Sequence, residues 1–276
     1  MQGVILMKYN VENQLKSRRP TNSARRPSKQ KLSRIVKGFK VSKGDYPYQA
    51  AIKITNPLEH ICGGTILNPS TILTAAHCFD KYRSKEDYAV ILGEYNLKRH
   101  DRTEQRFEIS SIIVHDLFKT VKGQDYHDVT IVKLKAKDGQ FADLNDYVQP
   151  AQIPRPDTVL PPGTKCDISG WGVVHETFET IPKYLQAAKV TIINQSKCNA
   201  PDVYNGRIPD ENFCAGDLNG GVDSCFKDSG GPLACNLNGK YVLYGVVSWG
   251  EGCGRKNKPG VYAKVVAYLD WIKKYL

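Results

Sequence analysis

The sequence has 276 residues, 41% of them hydrophobic, which is enough apolar material for a packed core and excludes a wholly disordered chain. A formal net charge of +11 suggests a polyanion partner, but nine Lys/Arg against the single acid Glu12 crowd into residues 1–34. The rest carries only +3, which argues against nucleic-acid binding, and no run approaches the ~18 apolar residues of a membrane span.

Near the start, Gly3-Val4-Ile5-Leu6-Met7 is shorter than the roughly 7–15 apolar residues of a signal-peptide core. Residues 8–34 are polar and basic, with Ser17-Arg18-Arg19-Pro20 nearly repeated as Ala24-Arg25-Arg26-Pro27. Such a stretch cannot bury enough apolar surface to order itself. It reads as a linker or, alternatively, as a nuclear-targeting or heparin-binding element. The chain is thereby divided into a basic segment over 1–34 and a folded domain over 35–276.

From Ile35 onward, short β-rich runs alternate with Gly, Pro and Asn turns. Examples are Tyr88–Leu92, Phe107–Val114, Lys189–Ile193 and Tyr241–Val247. Spacings near ten residues predict an all-β barrel or sandwich. Residues 143–163 hold five prolines and read as a connector between two β units. Residues 263–276 place apolar side chains at helical spacing and predict a C-terminal amphipathic helix.

The eight cysteines form no CxxC pair, so a zinc site is a weak reading. An even set without metal spacing suits four disulfides in an oxidising compartment. Export is implied while its signal is not visible, so further sequence upstream of Met1 is expected. Spacing alone does not choose the pairing.

Three motifs carry chemistry. Leu73-Thr74-Ala75-Ala76-His77-Cys78 is followed by His127-Asp128-Val129-Thr130-Ile131-Val132-Lys133-Leu134. Last comes Asp223-Ser224-Cys225-Phe226-Lys227-Asp228-Ser229-Gly230-Gly231-Pro232-Leu233. Serine between aspartate and glycines is usually a turn former. A hydroxyl becomes a nucleophile at neutral pH only beside a base such as histidine, itself oriented by a carboxylate. The order His, Asp, Ser supplies all three. His60, His100, His115, His127 and His175 are read as structural.

These motifs resemble the trypsin/chymotrypsin family, and the resemblance runs from Ile35 to the C-terminus. It implies two packed six-stranded antiparallel β-barrels with the cleft between them. It implies Ser229 as nucleophile, His77 as base and then acid, and Asp128 as the orienting carboxylate. Oxyanion donors would be the backbone N–H groups of Ser229 and Lys227, where Lys227 replaces the usual glycine. Asp223 would form the base of a pocket for Arg or Lys, with Ser248, Gly250 and Gly260 on its walls. Arg34-Ile35-Val36-Lys37-Gly38 resembles an activation site, and the amine freed on Ile35 would pair with Asp228. Lys37 departs there from a glycine. The disulfides implied are Cys62–Cys78, Cys166–Cys235, Cys198–Cys214 and Cys225–Cys253. Glu94, Asn96, Arg99, Asp101 and Glu104 match the family's calcium loop, crowded here by Lys98, Arg99, His100 and Arg102, so either calcium or a bare solvated loop suits it. Asn194-Gln195-Ser196 is a glycosylation sequon.

The resulting expectation is a secreted endopeptidase zymogen that cuts after Arg or Lys, with no required cofactor. Its partners would be peptide and protein substrates, an activating protease and protein inhibitors. The alternative is a catalytically impaired homologue that keeps the fold and acts by binding, for which Lys227 is the one sequence feature.

Overall fold

The computed structural model describes residues 38–79, 83–173 and 181–276. The basic segment, the activation residues Arg34 and Ile35, Lys37 and His175 therefore lie outside the described residues. In chain order the first strands are β1 (Phe39–Lys40), β2 (Gln49–Thr55), β3 (Leu58–Asn68), β4 (Thr71–Thr74) and β5 (Tyr88–Leu92). Next come β6 (Gln105–Val114), β7 (Lys119–Val121), β8 (Gln124–Tyr126) and β9 (Thr130–Leu134). The second half contributes β10 (Lys165–Gly170), β11 (Gln186–Ile192), β12 (Asn212–Gly216), β13 (Pro232–Leu237), β14 (Lys240–Trp249) and β15 (Gly260–Lys264). Two short helices, α1 (Gln195–Cys198) and α2 (Leu269–Lys273), complete the elements used below.

Six antiparallel strands close into a first barrel in the order β2-β3-β4-β9-β6-β5. A second barrel runs β11-β10-β13-β14-β15-β12 and closes through pairing of β11 with β12. Closure leaves neither set of strands an open edge. β1 adds to the second barrel by pairing Phe39 with Ala187. The hairpin β7–β8 stands apart as a two-stranded ribbon.

The strands follow from local sequence. β4 and β5 are short runs in which every residue is buried. The first half of β6 alternates, with Phe107 and Ile109 inward and Arg106, Glu108 and Ser110 exposed. Residues 143–163 run without regular strands as the expected connector, bound to the first barrel by Ala151 N to Ile66 O and to the second by Leu243 N to Gln152 O, with Val148 and Ala151 in the core. The C-terminus differs from expectation. Ala263 and Lys264 belong to β15, residues Val265–Tyr268 form a 3-10 turn, and only Leu269–Lys273 is α-helical. Pairing of Ala263 with Asn212 and of Lys264 with Gly245 captures the start of the stretch, and β-branched Val265 and Val266 do not favour extending the helix backwards.

Trp171, Leu243, Val246, Trp271 and Ile272 pack into the same apolar cluster as Ile66, Ile72 and Leu73, so this core crosses from the first barrel to the second. A second cluster built on Ile168, Val190, Leu233 and Tyr262 fills the second barrel. The cysteines join as Cys62–Cys78, Cys166–Cys235, Cys198–Cys214 and Cys225–Cys253. Each closes a loop and contributes roughly 2–4 kcal/mol by restricting the unfolded chain.

Candidate active site

His77 sits in a 3-10 turn, Ala76–Cys78, directly after β4. The Cys62–Cys78 bond ties that turn to β3. Asp128 lies two residues before the start of β9, whose Thr130 pairs with Thr74 of β4, so two adjacent strands bring the residues together. His77 Nδ1 and Asp128 Oδ2 are 2.7 Å apart, and the His77 backbone N–H donates to Asp128 Oδ1 at 3.0 Å. A third donor comes from the second barrel, where Ser248 Oγ reaches Asp128 Oδ2 at 2.6 Å. The register of β14 shifts between Val247 and Trp249, at Ser248 itself. Burial opposes charge on Asp128, but the His77 cation and these hydrogen bonds outweigh it and hold the carboxyl below its usual range. Burial likewise opposes protonation of His77, yet the charge and hydrogen bond of Asp128, helped by Asp125, raise its pKa.

Ser229 lies in the loop before β13, pinned from both barrels. Its carbonyl accepts from Gly63 N of β3 at 2.8 Å, and Gly230 N donates to Val247 O of β14 at 2.8 Å. Gly230 has φ 75°, and a Cβ there would meet Thr74 Oγ1 at 2.1 Å. No larger residue fits where the loop crosses the seam.

His77 and Ser229 line one cavity of about 340 Å³ with Asp223, Ser248, Gly250 and Gly260. Asp223 is buried, and its Oδ2 accepts from Gly254 N at 2.9 Å. Its Oδ1 has no hydrogen-bond partner. Burial pushes this carboxyl up to about 7, opposed in part by the nearby backbone N–H groups, that of Gly254 foremost. An unpartnered buried carboxylate oxygen is costly, and a cation entering the cavity would satisfy it.

Asp228 points away from the cavity into a slot between glycines. Its Oδ1 accepts from Gly172 N at 2.7 Å and its Oδ2 from Cys225 N at 3.0 Å. A Cβ on Gly170 or Gly172 would come within 2.1 Å of its carboxylate. Burial pushes Asp228 up to about 6, opposed by those two backbone bonds.

Lys227 adopts φ 75°, the left-handed backbone that glycine favours. Its carbonyl accepts from His60 Nε2 at 3.1 Å. Burial drives the His60 pKa down to about 3, so the ring is neutral, and a carbonyl partner requires the proton on Nε2. The Lys227 ammonium pairs with the Glu59 carboxylate of β3, in the first barrel.

The expected calcium residues have partners within the chain. Lys53 Nζ lies 2.7 Å from Glu94 Oε2, with both side chains buried. Arg99 Nε meets Asp101 Oδ1 at 3.1 Å, His100 Nδ1 meets Glu104 Oε2 at 2.6 Å, and Asn96 Oδ1 accepts from Lys98 N at 3.2 Å. Calcium needs several oxygens converging on one point. Glu94 and Asp101 each turn one oxygen to a cation of the chain itself, while Glu94 Oε1 and, for all the closeness of His100, Glu104 Oε2 are buried without a hydrogen-bond partner, so the loop keeps oxygens that an ion could use. The sequon residue Asn194 is exposed and caps α1 by accepting from Ser196 N.

Some contributors have no local signature. Asp125 on β8 lines the cavity with Oδ2 3.7 Å from His77 Nδ1. Glu59, His60 and Gly172 also escape a motif reading, because each acts only through contacts made by folding.

The family model described as Trypsin matches residues 35–272. The chain is 38% identical over 240 residues to "Hepatocyte growth factor activator serine proteases" of Canis lupus familiaris, covering 87% of this chain and 36% of that protein. It is 38% identical over 239 residues to the Homo sapiens "Hepatocyte growth factor activator serine protease", with 87% and 36% covered. The Mus musculus protein of that name is 37% identical over 255 residues, with 92% and 38% covered. The chain thus spans less than two fifths of these relatives' length. With two closed barrels, a hydrogen-bonded His–Asp pair beside a serine loop and a family match over most of its length, the chain belongs to the trypsin family of serine endopeptidases.

Proposed function

We propose that this chain is the zymogen of a secreted endopeptidase that cuts peptide bonds after Arg or Lys. The observation that carries the specificity is the unpartnered Asp223 Oδ1 in the cavity that His77 and Ser229 also line. A guanidinium or ammonium there would gain a charge-assisted hydrogen bond and relieve the buried oxygen.

In this reading His77 takes the Ser229 hydroxyl proton as Oγ attacks the carbonyl. Asp128 holds the ring and stabilises the imidazolium. The N–H groups of Ser229 and Lys227 receive the developing oxyanion. His77 then protonates the leaving amine, and water repeats the sequence on the acyl-enzyme. No cofactor has a step in this chemistry. The left-handed φ of Lys227 supports a working donor and weighs against the impaired-homologue alternative.

Cleavage at Arg34–Ile35 would free an amine to pair with Asp228, whose buried charge is otherwise met by backbone donors. Four disulfides support export. Substrates would be proteins, and protein inhibitors would dock on the same cleft. No helix among the described residues is long and apolar enough to cross a membrane. The relatives' names describe proteases that activate another protein, which supports limited proteolysis over digestion. The test is fluorophosphonate labelling and peptide-library cleavage before and after cutting at Arg34. Labelling of Ser229 with cuts after Arg and Lys is expected, and a cleaved protein that neither labels nor cuts refutes the proposal.

A further inference from the structure

Two neighbouring residues of β3 grip Lys227 from the opposite barrel. His60 Nε2 donates to its carbonyl at 3.1 Å, and Glu59 pairs with its ammonium. Three residues on, Gly63 N holds the Ser229 carbonyl at 2.8 Å. One strand of the first barrel thus serves as a rail for the loop that carries both oxyanion donors. The Glu59 side chain is 48% exposed and that of Lys227 28% exposed, so the pair is open to solvent and to salt.

The need for such a rail arises at Lys227. Eight non-glycine residues among those described have positive φ, and Lys227 is the one within the nucleophile loop. A side chain at φ 75° sets Cβ against its own following carbonyl, a strain glycine does not have. Relaxing toward negative φ would rotate the adjoining peptides and turn the Lys227 N–H away from where the oxyanion forms. The His60 bond restrains the carbonyl end. Trp171 packs edge-on against His60 with ring centroids 5.3 Å apart and keeps that imidazole in place. The side-chain end is restrained by Glu59 alone among the partners seen for the Lys227 ammonium.

We propose that Glu59 is a positioning residue for the oxyanion site, holding Lys227 in the left-handed conformation through an ion pair that bridges the two barrels. This rests on the peptidase reading above. The pair compensates for the lysine, so its importance depends on residue 227 having a side chain. A glycine there needs no clasp. Glu59 touches no reacting atom and acts only through Lys227.

The test is a double-mutant cycle on the cleaved enzyme: wild type, Glu59→Ala, Lys227→Gly and the double variant. A small chromogenic Arg substrate with no residue beyond the cut is used, so direct contacts of Glu59 with the leaving-group side are absent. Rates are normalised to active sites titrated with a covalent inhibitor, which removes any misfolded fraction. Glu59→Ala is expected to lower kcat about three- to tenfold with KM nearly unchanged, a fraction of the 10²- to 10³-fold cost of losing a whole donor. In the Lys227→Gly background the same substitution is expected to change nothing. Glu59→Asp should restore part of the loss. High salt should lower kcat in wild type and leave Lys227→Gly unaffected, because the pair is exposed and screened. Equal loss in both backgrounds, or no loss beside Lys227, overturns the proposal. A wild type that binds no titrant and turns over no substrate overturns the peptidase reading first, which separates the two failures.

Discussion

Gly260 faces Asp223 so closely that a Cβ on residue 260 would stand 2.7 Å from Asp223 Oδ1. The glycine thus makes room for the carboxylate itself, whereas at Gly250 a Cβ would meet nothing nearer than 3.5 Å. Gly260→Ala should therefore push Asp223 aside and lower kcat/KM for Arg substrates by about 10- to 100-fold, the scale of a disturbed charge pair. Gly250→Ala should be milder. Asp223→Ser should cost more than either and shift a peptide library away from Arg and Lys. A library unchanged by Asp223→Ser would show that the cation binds elsewhere.

Asp223 should also make binding pH-dependent. Its carboxyl is pushed up to about 7, so in the empty enzyme it is largely protonated below that pH. An Arg substrate binds the ionised form, so 1/KM should rise as pH climbs through about 7 and then level. Calorimetry near pH 7 in buffers of different ionisation enthalpy should detect a proton released on binding. A neutral substrate side chain should show neither effect.

Ser229→Ala should abolish hydrolysis by many powers of ten while leaving thermal unfolding unchanged. His77 has a raised pKa, and activity needs its neutral form, so rates should fall as pH drops through that pKa. Asp125 contributes to the raised value. Asp125→Asn should lower the His77 pKa and extend activity to more acid pH, which a pH–rate profile would read. An acid limb that moves upward would contradict the assignment.

Arg34→Gln should remain inactive when trypsin is added. Asp228, pushed up to about 6, costs stability when ionised in the uncut chain. If the freed Ile35 amine pairs with it, cleavage removes that cost. The melting-temperature gain on cleavage should therefore grow as pH rises to about 6, hold above it, and fade above pH ~8, where the amine loses its proton first in the unfolded chain and then in the pair. A gain independent of pH would argue for another partner.

Calcium removal should leave melting temperature and activity unchanged, because Lys53 already occupies Glu94 at 2.7 Å. Lys53→Met should instead destabilise by roughly 3–5 kcal/mol, the cost of leaving a buried charge unpaired. A fall in melting temperature on adding a calcium chelator would show that the loop rearranges around the ion.

The residue types of the chemistry, the β character of the runs and the cysteines for four disulfides were legible before any folding was considered. These are local properties: alternation marks a strand, and a serine among glycines marks a loop. The order His77, Asp128, Ser229 was legible because the family resemblance supplied the distant partners. What closed the site came from contacts between distant segments. Ser248 reaches Asp128 across 120 residues, and Lys227 reaches Glu59 across 168. Periodicity tells which face of a strand is buried; it does not tell which side chain on another barrel that face will meet. The same limit explains the C-terminus, where pairing of β15 with β12 and β14 took residues whose spacing suited a helix. It also applies to the Glu94 loop, where Lys53 and Arg99 reach acids whose spacing alone suits an ion. Charge pairs of this kind depend on distance and burial, and both are set only when the barrels close.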